Sequence, residues 1–145
     1  MPEAPLVAIR SLPSWLLGRA AAHGRTLVAR ALAAEGLKMW HHVVLSAVRD
    51  LAPVAQADLG RGVGLDPKDL VGVLNDLQAA GHIVREPDPK DRRKNAVSLT
   101  VQGAWLLERC ERAARAANDE LLAPLSAAER DQFMDLLIRI SGTDG

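Results

Sequence analysis

The sequence predicts a mainly α fold with a small β-hairpin: a winged helix-turn-helix with N- and C-terminal helical dimerisation arms. Three observations predict it. Apolar residues recur at spacings of three and four along most of the 145-residue chain. Two short runs are β-prone, and a charged, Pro-broken stretch separates them. Capping residues, glycines and prolines punctuate the helical runs at intervals short enough for a small bundle around one core.

After a Pro-containing lead of about ten residues, Leu16, Ala20, His23, Leu27, Ala31 and Ala34 form the apolar face of a first helix, from Ser11 to Glu35, which Gly36 ends. A second helix runs from about Lys38 to Leu51. Trp40, Val43, Val44, Ala47, Val48 and Leu51 cover most of its circumference, which predicts a central position, with His42, Ser46 and Arg49 as its polar strip. Pro53 suits the first turn of a short third helix, where its missing N–H costs nothing; that helix carries Ala55, Leu59 and Val63 and stops in the run from Gly60 to Gly64. Next, Asp66-Pro67-Lys68-Asp69 supplies a capping carboxylate, a proline at the first helical position and a further acid for the macrodipole. This fourth helix buries Leu70, Val73, Leu74 and Leu77 and ends at Gly81. The runs His82 to Arg85 and Ala96 to Leu99 read as hairpin strands. Thr100 then caps a long helix through Trp105, Leu106, Cys110, Ala113, Ala117 and Leu121, which Pro124 breaks. Ser126 with Glu129 is a capping box opening a last helix with Phe133, Leu136, Leu137 and Ile140 on one face. The two arms are longer than so small a core requires, and a symmetric dimer is the usual way to cover such faces.

Composition narrows the function classes. With 18 Lys+Arg against 18 Asp+Glu the formal charge is zero. Three Trp, one Phe and no Tyr are too few for a base-stacking sheet or an aromatic-lined cleft, and one Cys excludes a disulfide framework or a thiolate metal cage. No apolar run reaches the ~18 residues of a membrane span. The start, Met1 to Pro5, lacks the basic-then-apolar layout of a secretory signal, so a cytoplasmic protein is expected.

The most specific stretch is the wing. Asp88-Pro89-Lys90-Asp91-Arg92-Arg93, followed by Leu99-Thr100 and by Gly103 three residues further, resembles the signature of the MarR family of bacterial transcriptional regulators, and Leu77 to Arg85 resembles that family's link from recognition helix to wing. The resemblance covers about Leu12 to Ile140. It implies a single MarR-type domain over residues 1–145, with dimerisation helices at 11–37 and 101–145 and a DNA-binding lobe at 38–100. The implied partners are double-stranded DNA and a second copy of the chain; a small aromatic or anionic effector is a further candidate. Where family members often carry Ser, Thr or Arg, this chain has Asp69, Val71 and Gly72, so few of its side chains there make the usual bidentate base contacts.

Candidate DNA-binding residues follow. A guanidinium from the wing tip, Lys90, Arg92, Arg93 and Lys94, suits the negative potential of a minor groove, with its neighbours on phosphates. The resemblance gives the insertion to Arg93 and gives Asp91 the role of holding it extended; the plain alternative is a solvated charged loop. Arg85 is a phosphate contact or the partner of a wing acid. On the recognition helix, Lys68 reaches guanine or phosphate and Asn75 reads adenine bidentately, with Gln78 further along. Gly72 permits close backbone approach to the groove or, alternatively, close helix packing. Asp66 and Asp69 are caps first and cytosine readers second, and Gln56 is a phosphate contact. Gly60 to Gly64 has the wrong spacing and context for a nucleotide-binding loop and reads as the turn of the helix-turn-helix.

For an effector, Trp15, His23, Trp40 and His41 are the candidates, in the crevice where the family commonly holds aromatic anions; the alternative is core histidines and packing tryptophans. His41 and His42 are adjacent and point about 100° apart, so they do not share a metal, and no metal or cofactor is expected. Cys110 reads as a buried structural thiol, since the peroxide-sensing branch of the family carries its Cys in the first helix.

The expected function is a sequence-specific, homodimeric, ligand-responsive repressor on a pseudo-palindromic operator. The rival is a winged-helix interaction module without operator binding, favoured by neutral charge and by Asp66 and Asp69 but disfavoured by the basic wing. An enzyme is not expected, because no nucleophile–base pair or paired carboxylates are visible. The neutral total also hides opposed regions. From Arg85 to Lys94, five basic and three acidic residues leave plus two; from Glu108 onward, five Arg and eight acids leave minus three.

Overall fold

Residues 7–142 are described by the computed structural model. The elements are α1 (Val7–Arg10), α2 (Pro13–Ala34), α3 (Met39–Leu51), β1 (Val54–Ala55), α4 (Gln56–Val63), α5 (Pro67–Ala79), β2 (Ile83–Pro87), β3 (Asn95–Leu99), α6 (Val101–Leu121) and α7 (Ala127–Ser141). The described chain divides into two compact units, residues 29–114 and residues 7–28 with 115–142. Both α2 and α6 contribute to each.

The first unit holds the core. Leu32, Val44, Leu45, Val48, Leu59 and Leu74 are fully buried, beside Leu70, Leu77, Ile83, Val97, Leu107 and Cys110 at no more than 2% exposure. Its start signals act as the sequence predicts. Asp66 caps α5 by accepting from the Lys68 N–H at 2.8 Å, and Pro67 takes the first helical position. The helix-turn-helix is formed by α4 and α5, with one correction: α4 continues through Gly60 and Gly62 to Val63, and the turn proper starts at Gly64, whose φ of 73° is left-handed. Gly60 instead lies where α4 meets α5, and a Cβ there would come within 3.1 Å of Leu70 Cδ2.

The wing differs from a two-stranded hairpin. Its sheet has three antiparallel strands in the order β1-β3-β2, with Val54 opposite Val97 and Ile83 opposite Leu99. Pro53 therefore precedes a short edge strand and does not open the third helix. Its missing N–H is harmless there too, because an edge position needs no ladder donor. Val54 is buried, which anchors the edge.

Trp40, Leu51 and Trp105 are exposed, at 45%, 50% and 59%. Only one side of α3, centred on Val44, Leu45 and Val48, meets the core, so its apolar circumference does not translate into burial all round.

In the second unit α1 occupies part of the expected lead, and α2 starts at Pro13, where proline suits a first turn. The capping box of α7 is present in both directions: Ser126 Oγ accepts from the Glu129 N–H at 3.2 Å, and Glu129 Oε1 accepts from the Ser126 N–H at 2.8 Å. Among its described residues only Leu27 and Ala117 are buried, whereas Ile9, Leu16, Leu17, Met134, Leu136 and Ile140 are all exposed. His23, expected on the apolar face of the first helix, is also exposed.

Candidate nucleic-acid interface

The interface candidates all lie in residues 29–114. At the wing tip the acids interspersed with the basic residues organise the backbone. Asp88 Oδ1 accepts from the Lys90 N–H at 2.8 Å, and the Asp88 N–H donates to the Lys94 carbonyl at 2.7 Å. Asp91 Oδ1 accepts from the Arg93 N–H at 3.1 Å and from Arg93 Nε at 3.2 Å, while Oδ2 accepts from Nη2 at 3.4 Å. These contacts hold the Asp91 carboxyl below the usual carboxylate range, the Arg93 guanidinium first, then the Arg93 backbone and the nearby Lys94 charge. The Arg93 side chain is 90% exposed, so a fixed carboxylate aims a solvated guanidinium outward. Lys90, Arg92 and Lys94 are exposed, and no ion pair is formed by them among the described residues.

The wing is stitched to α6 by the Leu-Thr-x-x-Gly part of the signature. Thr100 Oγ1 donates to the Gly81 carbonyl at 2.6 Å and accepts from the Gly103 N–H at 3.0 Å, while the Thr100 N–H donates to the His82 carbonyl at 3.1 Å. Gly103 sits so close to this strand start that a Cβ would fall 1.9 Å from the His82 carbonyl oxygen. The residue pattern thus encodes the joint between wing and helix.

On α5, Lys68, Gly72 and Asn75 are exposed at spacings that place them on one stripe, opposite the buried Leu70, Leu74 and Leu77. A Cβ at Gly72 would meet nothing within 4 Å, so no packing partner among the described residues accounts for that glycine. Gln56 is the first residue of α4, whose N-terminus lacks a side-chain cap and so leaves its first N–H groups free for an acceptor. Gln56 and Lys94 both line one cavity of about 560 Å³, together with Ala55, Gly60, Leu65 and Leu70.

Arg85 has partners that the sequence does not indicate. Its partners are the amides of the recognition helix: Nε donates to Gln78 Oε1, and Nη2 donates to Asn75 Oδ1 at 2.7 Å. No wing acid pairs with it among the described residues. The Asn75 oxygen needed for a bidentate adenine contact is already engaged.

The effector candidates are spread over both units. In residues 29–114, His41 Nε2 hydrogen-bonds Asp76 Oδ2 at 3.0 Å, and His41 lines a cleft of about 280 Å³ with Lys38, His82 and Leu77. Sequence reasoning did not connect Lys38, Asp76 and His82 with His41, because the link spans 35 positions and has no local signal. Trp40 is exposed. In the other unit, Arg10 and Arg19 guanidinium carbons lie 5.9 and 5.1 Å from the Trp15 ring centroid, so cations already cover that ring. No group of three or more metal-ligating side chains occurs among the described residues. Cys110 is fully buried, and its thiol is pushed up by burial and, secondarily, by the Glu35 charge, opposite to what a redox sensor needs.

Comparison with known proteins agrees with this geometry. Residues 35–94 match the model described as MarR family. The HTH-type transcriptional repressor NicR of Pseudomonas putida is 35% identical over 102 residues, covering 70% of this chain and 65% of that protein, so the chain spans just under two thirds of that relative. The HTH-type transcriptional repressor Rv2887 of Mycobacterium tuberculosis is 31% identical over 130 residues, 90% of this chain and 93% of the relative. The crystal structure of Rv2887 in complex with DNA superposes with a TM-score of 0.79 at 28% identity, covering 92% of this chain and 99% of the other. Its complex with p-aminosalicylic acid gives a TM-score of 0.73 at 28% identity, covering 91% and 100%. A relative matched over nearly its whole length, the family model from the helix-turn-helix to the wing tip, and the shared fold lead to one conclusion: the chain belongs to the MarR family.

Proposed function

We propose that the protein is a homodimeric transcriptional regulator that binds double-stranded DNA sequence-specifically and represses transcription. The observation that carries this reading is the wing tip: an Arg93 guanidinium in solvent, held by Asp91 against the backbone of its own turn. Insertion into a narrow minor groove immobilises a long side chain, and prior fixing by a carboxylate reduces that entropic loss. Lys68, Gly72 and Asn75 then face the major groove, while Gln56 with the uncapped α4 N-terminus and Lys90, Arg92 and Lys94 meet phosphates. The relative Rv2887 has been crystallised with DNA, which supports the assignment.

The exposed apolar side chains of the 7–28 and 115–142 unit support the homodimer, because monomeric proteins rarely leave large apolar patches in water. For an effector, the cleft lined by Lys38, His41, Asp76 and His82 is the candidate, and Rv2887 has been crystallised with p-aminosalicylic acid. Trp40, which does not line that cleft, and Trp15 and His23, which belong to the other unit, are separate candidates.

Electrophoretic mobility shift on duplex from upstream of the protein's own gene tests the reading. Binding should fall steeply with salt as phosphate contacts release counterions. Arg93→Ala should stay folded and dimeric yet lose about 1–3 kcal/mol of DNA affinity. Undiminished binding by that variant sinks the wing assignment.

A further inference from the structure

We propose that Arg85 is a specificity-determining positioning residue, turning the amides of Asn75 and Gln78 so that these two side chains offer DNA their NH2 donors. The inference rests on the DNA-binding reading and specifies which base edges the helix selects.

Arg85 sits in the middle of β2, in register with Val97 of β3, so its backbone is fixed by the sheet. Its side chain crosses to α5, where one planar guanidinium donates to both Gln78 Oε1 and Asn75 Oδ1. Asn75 and Gln78 are one turn apart and face the same side of the helix. A guanidinium has five donors and no acceptor, so only the oxygen end of each amide satisfies it; a flipped amide would place N–H against N–H. Both charge-assisted bonds therefore commit the amide oxygens toward the strand and leave the NH2 groups facing away.

That orientation has a consequence for base readout. Bidentate recognition of adenine needs the amide oxygen and NH2 together at the base edge, one accepting from N6 and one donating to N7. Rotating Asn75 to provide both would break its bond to Arg85. An NH2 presented alone is matched by acceptors, and guanine offers two, N7 and O6, side by side. Lys68, on the same stripe, also only donates, and Gly72 contributes no side chain. Of the acceptors nearby, Asp66 caps its own helix and Asp76 Oδ2 bonds His41, while Asp69 and Asp76 flank Gly72 and not Asn75. The Asn75 position is thus matched to guanine.

Selection from a randomised duplex library, followed by sequencing, tests this on the full-length protein. Asn75→Ala locates the base position that Asn75 reads, as the one whose preference it abolishes. Wild type should select guanine there. Arg85→Met should lift adenine about tenfold relative to guanine at that position, as the freed amide regains both of its ends. Its salt dependence should match wild type, since no phosphate contact is lost. A merely structural or phosphate-binding Arg85 behaves differently: Arg85→Met then binds all sequences more weakly, with unchanged preferences or a salt slope smaller by about one, and the proposal is overturned. Adenine selected by wild type at the Asn75 position overturns it as well. Failure of wild type to select any sequence overturns the DNA-binding reading itself, and this inference with it. Should Arg85→Met unfold, nuclear magnetic resonance of the free wild-type protein decides. A slowly exchanging Arg85 Nε–H with an Overhauser contact to the Gln78 amide supports the clamp, and a freely exchanging guanidinium overturns it.

Discussion

Gly72 and His42 show how much a single residue's surroundings decide. A glycine in the middle of a helix destabilises it by about 0.5–1 kcal/mol against alanine, and at position 72 no neighbour among the described residues requires one. Gly72→Ala should therefore raise stability by about that amount in urea denaturation. The same methyl would stand between helix backbone and major groove, so the stabilised variant should bind DNA more weakly in mobility shift; unchanged binding would remove Gly72 from the interface. His42 is half-buried on α3, and burial pulls its pKa below the ordinary 6.5, with the Arg49 charge acting in the same direction and Glu111 against it. Its Nε2 is buried without a hydrogen-bond partner among the described residues, which suits a neutral ring. Since the folded pKa is the lower one, the unfolded chain takes up a proton first as pH falls through 6.5. Stability is then fully present above that pH and is lost between it and the lowered folded value. Burial lowers His82 in the same direction. Urea midpoints should fall from pH 7.5 to 5.5, and His42→Gln should flatten part of that fall; an equally steep profile in the variant contradicts the assignment.

At the scale of elements, the joint between wing and α6 is the least tolerant place. The Gly103 Cα lies against the His82 carbonyl, whose strand is held by Thr100 through both its hydroxyl and its N–H. Backbone on both sides leaves neither partner a rotamer to change. Gly103→Ala should destabilise by about 2–3 kcal/mol, the upper part of the range for overpacking, read as a lowered urea midpoint with the m-value retained. A near-neutral result would mean that α6 shifts freely against the sheet. This joint was legible as a spacing, Thr100 to Gly103, because its chemistry is local, as were the caps at Asp66 and Ser126. Strand β1 was not legible. Two residues carry no period-two signal, and Val54 becomes a strand only because β3 lies beside it. The faces of α3 and α6 were misread for a related reason: periodicity shows that Trp40 and Trp105 are apolar positions, not whether this chain covers them. Of the interface, the Asp91–Arg93 pair was readable from a spacing of two. The engagement of Asn75 and Gln78 by Arg85, and of Asp76 by His41, was not, since nothing local marks such partners.

For the whole molecule, the neutral formal charge is an average of a basic wing and an acidic C-terminal stretch, so attraction to DNA depends on presenting wings and keeping that stretch off the phosphates. A dimer built through the exposed apolar residues of the 7–28 and 115–142 unit meets the first need, because it joins two wings. Leu136 and Ile140 are 47% and 66% exposed in the chain alone. Charges there cost the isolated fold little, yet repel across a two-fold axis, where each residue is presented twice. Leu136→Glu with Ile140→Glu should therefore keep the helical circular dichroism while sedimentation shifts to the monomer mass. Affinity for a two-half-site duplex should drop about a hundredfold or more, since linkage of two half-site contacts supplies gains of that order. Affinity for a single half-site should barely change, which distinguishes lost linkage from a damaged wing. A variant that remains dimeric and binds the full site normally would place the dimer interface elsewhere.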